Sequence, residues 1–191
     1  MEIGVLALQG DFIEHFNILQ SLDANTRLVK LPKDLENLQG LIIPGGESTT
    51  IGKLAMAYAL MAPLRQFGQS HAIWGTCAGA IFLSKDVARE QPLLGLMDIQ
   101  VERNAFGRQV DSFEVDLPAP FLENGDTLPY HGVFIRAPII KSVSDRAEVL
   151  LTLSDGRIVA AQQGKLLATS FHPELTSDTR FHQYFLELAT S

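Results

Sequence analysis

The first half of the chain alternates short, partly β-branched apolar runs with stretches of helical periodicity, and this alternation restricts the fold more than any other feature. Gly, Pro or Asp bounds the apolar runs, so each has the length of a buried strand rather than of a helix. A strand–helix repeat at this spacing is typical of a parallel sheet with helices on both faces. The predicted strands are residues 3–8, 26–31, 40–43 and 72–74.

Helices are predicted between and after these strands. Asp11 followed by Glu14 has the form of a capping box, and apolar residues then recur at helical spacing. A second helix is expected to begin near Ser48, with Pro63 breaking or restarting it. A third helix should follow Cys77 directly.

The second half of the chain has a different texture, with more strands and fewer helices. Asp155-Gly156 favours a tight hairpin turn, because the glycine supplies a positive φ. A last helix is predicted over residues 177–188, capped by Thr176 or Ser177. Without a repeat or a linker, residues 1–191 are interpreted as one domain. The predicted strands here are residues 109–116, 133–136, 149–153 and 157–162.

Composition excludes several classes of protein. With 46% hydrophobic and 19% charged residues, the chain is neither disordered nor a coiled coil. A net charge of −7 disfavours binding to nucleic acid. One cysteine allows no intramolecular disulfide and suits a reducing compartment. The absence of a signal-peptide pattern and of a 20-residue apolar run leads us to expect a cytoplasmic protein with no membrane span.

Cys77 lies between a predicted strand and a predicted helix, with Gly75 two residues before it and Gly79 two residues after it. This pattern is typical of a nucleophile elbow, a sharp strained turn that needs small flanking residues. A thiol at a helix N-terminus is favoured as the thiolate, the form that attacks carbonyl carbon. A buried structural cysteine is the alternative interpretation.

His172 is followed by Pro173 and Glu174. Proline disfavours helix at the preceding residue, so we expect extended chain there, with the carboxylate of Glu174 beside the imidazole. Together with Cys77 the two residues would form a Cys-His-Glu triad for acyl transfer. A surface histidine beside a solvated glutamate is the alternative.

A glycine-rich loop, residues 44–50, again separates a predicted strand from a helix. The backbone N–H of Gly46, together with that of Ala78, could form an oxyanion hole. A phosphate-binding loop is disfavoured because no Gly-Lys-Ser/Thr sequence follows and Glu47 is acidic. That carboxylate would suit an ammonium group of a substrate.

The other charged and metal-binding residue types give weaker signals. The histidines at positions 15, 71, 131 and 182 are scattered without metal-ligand spacing, so we expect no metal site. Arg103 and Arg136 each lie in or beside an otherwise uncharged, strand-like stretch, and each needs a carboxylate partner from the protein or from a substrate.

Six sequence blocks together resemble the class I, triad-type glutamine amidotransferases, and among these the glutaminase subunits of pyridoxal 5′-phosphate synthase. The resemblance runs from residue 7 to residue 176, and the fourth and fifth blocks are the most specific for the vitamin B6 branch. The blocks are ALQGDF, PGGESTT, GTCAGA, VERNAFGRQVDSFE, GVFIRAP and SFHPELT.

This resemblance implies a three-layer α/β/α, flavodoxin-like fold with a mixed central sheet. It also implies hydrolysis of L-glutamine to L-glutamate and ammonia without a cofactor: Cys77 attacks the amide, His172 moves the protons and Glu174 orients His172. Gly46 and Ala78 are implied as oxyanion donors. The implied glutamine-binding residues are Gly46, Glu47, Ser48, Arg103, Ile135 and Arg136.

The family's ammonia passes to a separate synthase subunit, which uses it with ribose 5-phosphate and glyceraldehyde 3-phosphate to make pyridoxal 5′-phosphate. By similarity, the Gln9-Gly10 turn and the first helix would lie close to this partner, with twelve copies of each subunit in the assembly. A glutaminase of another amidotransferase is one alternative. A cysteine hydrolase or a binding module of similar architecture is the other.

Overall fold

The computed structural model describes residues 1–87, 90–103 and 112–191. In these residues the fold is mixed α/β, built on one large sheet and a separate hairpin. The strands are β1 (Glu2–Leu6), β2 (Asn25–Val29), β3 (Gly40–Ile43), β4 (Ala72–Thr76), β5 (Ser84–Asp86), β6 (Met97–Glu102), β7 (Ser112–Leu117), β8 (Tyr130–Ile135), β9 (Ile139–Val143), β10 (Glu148–Thr152), β11 (Ile158–Gln163) and β12 (Leu166–Thr169). The α-helices are α1 (Phe12–Ser21), α2 (Ser48–Ala57), α3 (Met61–Phe67), α4 (Ala78–Leu83) and α5 (Arg180–Thr190).

Ten of the described strands form the large sheet, in the order β2-β1-β3-β4-β12-β11-β9-β6-β5, with β10 paired to β11. Five adjacent strands, β2, β1, β3, β4 and β12, run parallel to one another, as the strand–helix alternation predicted. The β12–β11, β11–β9, β9–β6 and β10–β11 pairs are antiparallel, so the mixed sheet is confirmed. Strands β7 and β8 form their own antiparallel pair.

The alternation of side chains along each strand feeds two cores, one on each face of the sheet. In β3, for example, Leu41 and Ile43 enter one core and Ile42 enters the other. Helices α2, α3 and α4 cover the first core, whereas α1 and α5 cover the second together with the β7–β8 hairpin. The three-layer α/β/α arrangement is therefore confirmed.

The predicted side-chain caps of two helices are wrong. Helix α1 begins after Asp11 as predicted, but within the described residues the Asp11 side chain makes no capping hydrogen bond. Helix α5 begins at Arg180 rather than at residue 177, so neither Thr176 nor Ser177 caps it. The carboxylate of Asp178 instead accepts a hydrogen bond from the Arg180 backbone N–H and binds its guanidinium, which delays the first turn.

The predicted hairpin at Asp155-Gly156 is confirmed: Gly156 has φ +86° and joins β10 to β11. Of the predicted strand at 109–116, residues 109–111 lie outside the described residues, as does the central part, 104–111, of the fourth sequence block. In the described ranges, no helix has the length and apolarity that crossing a membrane requires.

Candidate active site

The predicted site residues converge because four adjacent parallel strands, β1, β3, β4 and β12, end at the same edge of the sheet. Cys77 directly follows β4, and the glycine-rich loop follows β3. The register pairs Thr76 with Thr169, so the chain leaving β12 toward His172 starts level with Cys77. Loops at the carboxyl ends of parallel strands are where α/β folds place ligands.

Cys77 has φ +47° and ψ −104°, a backbone conformation that side-chain-bearing residues rarely adopt. Both flanking glycines are required sterically. A Cβ on Gly75 would lie 2.4 Å from the carbonyl oxygen of Gly79, and one on Gly79 would lie 2.0 Å from that of Ile43. The elbow geometry inferred from the sequence is therefore present, with Cys77 buried at the start of α4.

His172 donates from Nδ1 to Glu174 Oε1 over 2.6 Å, and both residues are buried. The prediction of extended chain around His172 is only partly confirmed. His172 itself is non-helical, but Pro173–Leu175 forms one turn of 3₁₀-helix rather than extended chain. The Asp11 carboxylate also lies near the imidazole, with Oδ2 3.7 Å from Nδ1.

The electrostatics favour a protonated imidazole. Burial opposes a charge on His172, but hydrogen bonds with Cys77 and Glu174 outweigh it and raise the pKa of the imidazole to about 10. Burial also raises the pKa of Glu174, against the lowering effect of its hydrogen bond with His172. The imidazole is thus held ready as an acid beside the thiol.

The glycine-rich loop packs against this imidazole, because a Cβ on Gly45 would lie 2.7 Å from His172 Cε1. Gly46 has φ +144°, a conformation that favours glycine, and the next N–H, of Glu47, donates to Gln9 Oε1 at 2.7 Å. Ala78 is the first residue of α4, so its N–H has no partner within that helix.

Glu47 and Arg103 form an ion pair of 2.9 Å at the mouth of the site. Burial would raise the pKa of Glu47, but hydrogen bonds from Thr50 and Arg103 lower it to about 2. Arg103 also donates to Gln91 Oε1 and Thr49 Oγ1, and Ser48 Oγ lies 3.4 Å from the same Gln91 oxygen. Gln91 carries no motif, so the sequence alone did not single it out.

Ile135 ends β8, and Arg136 follows it with φ +42°. The backbone N–H of His172 donates to the carbonyl of Val133 at 2.8 Å, which ties this end of β8 to the segment that contains His172 and Glu174. A positive φ in a residue with a long side chain is strained and is concentrated at functional sites. Ile135 and Arg136 are both exposed beside the site.

Two histidines that sequence analysis described as scattered are in fact in contact. His15 Nδ1 lies 2.9 Å from His182 Nε2, and His15 Nε2 lies 3.3 Å from Glu174 Oε2. Their separation of 167 residues hides the pair from any local pattern. His15 lies at a helical position that could point toward the core, which was the one available signal.

Among the described residues, Asp11, His172 and Glu174 are one group whose donor atoms lie within 4.8 Å of one another, as a metal site requires. His172 Nδ1 is already hydrogen-bonded to Glu174 Oε1 at 2.6 Å, so a metal ion would have to displace this proton and break the His172–Glu174 contact.

A family model and curated relatives both match nearly the whole of this chain. Residues 5–191 match the model of the SNO glutamine amidotransferase family. The curated pyridoxal 5′-phosphate synthase subunit PdxT of Herpetosiphon aurantiacus is 58% identical over 98% of this chain and 100% of its own length. The protein of the same name from Roseiflexus castenholzii is 53% identical, with 98% and 100% covered.

A solved structure described as a glutamine amidotransferase superimposes on this chain with a TM-score of 0.92, at 52% identity and with 99% of each chain covered. Sequence and fold thus agree with these relatives over nearly the whole length of the chain. The chain belongs to the SNO glutamine amidotransferase family.

Proposed function

We propose that this chain hydrolyses L-glutamine to L-glutamate and ammonia through Cys77, His172 and Glu174. The observation that carries the proposal is the elbow cysteine at φ +47° beside an imidazole held at 2.6 Å by a buried carboxylate. A strained nucleophile at the carboxyl edge of the sheet and an oriented acid–base partner are what acyl transfer from an amide requires.

In the first step the Cys77 sulfur attacks the side-chain amide carbon, and the carbonyl electrons move to oxygen. The N–H groups of Gly46 and Ala78 would stabilise this oxyanion. As the C–N bond breaks, protonated His172 donates a proton to the leaving nitrogen, giving ammonia and a glutamyl thioester. The neutral imidazole then takes a proton from water, whose oxygen displaces the sulfur and releases glutamate.

The ends of the glutamine side chain would be recognised outside the triad. The ionised carboxylate of Glu47 suits the α-ammonium group, and the guanidinium of Arg103 or Arg136 suits the α-carboxylate. Ser48 and Ile135 would complete the contact surface. Binding therefore exchanges the Glu47–Arg103 pair for contacts of the same kind with substrate.

We further propose that residues 1–191 act as one glutaminase domain in the cytoplasm, delivering ammonia to a synthase subunit that makes pyridoxal 5′-phosphate from ribose 5-phosphate and glyceraldehyde 3-phosphate. Support comes from the relatives, which are named as subunits of pyridoxal 5′-phosphate synthase. Twelve copies of each subunit, with the Gln9-Gly10 turn and α1 near the partner, is the assembly we expect.

The test is ammonia release from glutamine by the chain alone and by the chain mixed with its synthase subunit. We expect low release alone and higher release in the mixture, and loss of both in Cys77→Ala with an unchanged circular dichroism spectrum. Glu148→Gln, an exposed change on β10, is the control and should keep full activity. Turnover by pure Cys77→Ala would contradict the mechanism.

A further inference from the structure

His15 and His182 form a buried imidazole pair next to Glu174, the carboxylate of the proposed triad. Neither side chain is exposed to solvent. The Trp74 ring packs edge-on against both imidazoles, with ring centroids 5.8 Å apart for His15 and 5.0 Å apart for His182. His15 Nε2 lies 3.3 Å from Glu174 Oε2 and 3.3 Å from Thr76 Oγ1. Thr76 directly precedes the nucleophile.

Both rings are neutral at pH 7. Burial, together with the nearby His182 and His172, lowers the pKa of His15 well below 6.5. Burial alone lowers the pKa of His182 to about 3. Each ring therefore carries one N–H and one lone pair, and the contacts decide which nitrogen carries the proton.

The two oxygens in front of His15 Nε2 place the proton there, because a lone pair on that atom would face the Glu174 carboxylate. His15 Nδ1 is then an acceptor, and His182 Nε2 donates to it at 2.9 Å. His182 Nδ1 must consequently be a lone pair. In the part of the chain that the structure describes, this atom has no hydrogen-bond partner, which agrees with that assignment because no acceptor is present for an N–H there.

Glu174 uses its two oxygens differently. Oε1 accepts from His172, whereas Oε2 is buried and accepts no well-aligned hydrogen bond from any described residue. A carboxylate oxygen left bare in the interior is costly, so the group that faces it strongly affects whether Glu174 stays ionised. The Nε2–H of His15, shared with Thr76, faces it.

We propose that His15 is a positioning residue of the triad, which holds Glu174 Oε2 against the end of β4 next to Cys77, and that His182 fixes the His15 tautomer. The inference builds on the proposed function, since Glu174 acts through His172. It predicts that loss of the His15 donor weakens the Glu174 carboxylate as a partner of protonated His172, and thereby destabilises the Cys77 thiolate.

The experiment compares His15→Leu, which removes the donor, with His15→Gln, whose amide can present an N–H at similar reach. In the complex with the synthase subunit, we expect His15→Leu to lower kcat for glutamine by about 10–100-fold with KM within threefold, and His15→Gln to recover most of the loss. Leu19→Ala, in the same helix and the same core, controls for loosening of α1 and should keep kcat.

A second readout does not depend on glutamine turnover. The pH midpoint for alkylation of Cys77 by iodoacetamide should move upward in His15→Leu, and stay at the wild-type value in Leu19→Ala and His15→Gln. If the wild-type chain proves inactive on glutamine, the proposed function fails, but this midpoint still tests His15. A wild-type midpoint and kcat in His15→Leu would overturn the inference.

Equal losses in His15→Leu and Leu19→Ala, with no shift in the midpoint, would also overturn it, because they would indicate packing alone. Should His15→Leu fail to fold, ¹⁵N shifts of the histidine rings in the wild-type protein decide instead. We expect His15 and His182 to be neutral Nε2–H tautomers from pH 5 to 8, and an Nδ1–H tautomer at His15 would contradict the inference.

Discussion

Two carboxylate–cation pairs lie within one site, and they differ mainly in their exposure to solvent. The His172–Glu174 pair spans 2.6 Å with side chains 7% and 0% exposed. The Arg103–Glu47 pair spans 2.9 Å with side chains 22% and 46% exposed. Burial raises the pKa of Glu174, whereas hydrogen bonds lower that of the more exposed Glu47.

The difference separates two tasks. A buried pair that loses one partner leaves an uncompensated charge, so the fold holds His172 and Glu174 in one arrangement. A pair that solvent partly reaches contributes less to stability than a buried one, so Glu47 and Arg103 can exchange each other for a charged substrate at small cost. The proposed catalytic arm, His172 with Glu174, is thus fixed before substrate arrives. In the proposed recognition arm, Glu47 and Arg103 bind each other until substrate replaces one partner of each.

Glu174→Gln should produce the largest effect. An amide at this position can donate toward His172 Nδ1 and so select the wrong tautomer, and we expect kcat for glutamine to fall about 10²–10⁴-fold with KM nearly unchanged. Steady-state kinetics of glutamate release by the complex measure both constants. Glu148→Gln is the matched control. A change in KM alone would remove the distinction between the two pairs.

Arg103→Ala should act on the other constant. Loss of a charged hydrogen-bond donor to substrate is expected to raise KM for glutamine about 10–100-fold while kcat changes less than threefold. The free energy of unfolding should change by less than about 1 kcal/mol, because solvent partly reaches the pair. Asp155→Ala, which breaks the comparably exposed Arg157–Asp155 pair elsewhere, should leave KM unaltered.

The pH dependence should separate the two arms as well. Because the pKa of Glu174 is raised and that of Glu47 is lowered to about 2, acid protonates Glu174 first. As pH falls from 7 to 4, kcat should decline by up to about tenfold per unit below the Glu174 pKa, while KM stays within about threefold. Initial rates at saturating synthase subunit measure both. Glu47→Gln should raise KM at every pH without moving the kcat midpoint, and a KM that rises before kcat falls would contradict the assignment.

The parts of this site that the sequence revealed are those written in local patterns. Glycines two residues on either side of Cys77 are needed by sterics at the turn itself, so their spacing is visible in the chain. Glu174 lies two residues from His172, and their contact follows from proximity in almost any backbone. The parallel sheet likewise follows from the succession of short apolar runs and stretches of helical periodicity, and each of these is a local pattern.

The parts that the sequence concealed depend on long-range packing. His15 and His182 meet only because α1 and α5 cover the same face of the sheet, and no periodicity encodes which buried histidines will touch. Gln91 joins Arg103 by a contact between two loops. Asp178 displaced the predicted helix start because its bond to the Arg180 guanidinium competes with the cap expected at Ser177.

Backbone strain gives the smallest effect, and it occurs on both arms, since Cys77 has φ +47° and Arg136 has φ +42°. In an ordinary strand or helix, a protein with glycine at a given position is less stable than one with alanine there by about 0.5–1 kcal/mol. At both positions we expect the opposite sign, with the glycine variant more stable than the alanine variant by about 1 kcal/mol in urea unfolding.

Asp145, with φ +54° in an exposed turn, is the control. Aspartate tolerates that region, so Asp145→Gly should change the free energy of unfolding by only a few tenths of a kcal/mol. Alanine more stable than glycine at position 77 would mean that the elbow stores no strain, and that the fixed character of the catalytic arm rests on the His172–Glu174 pair alone.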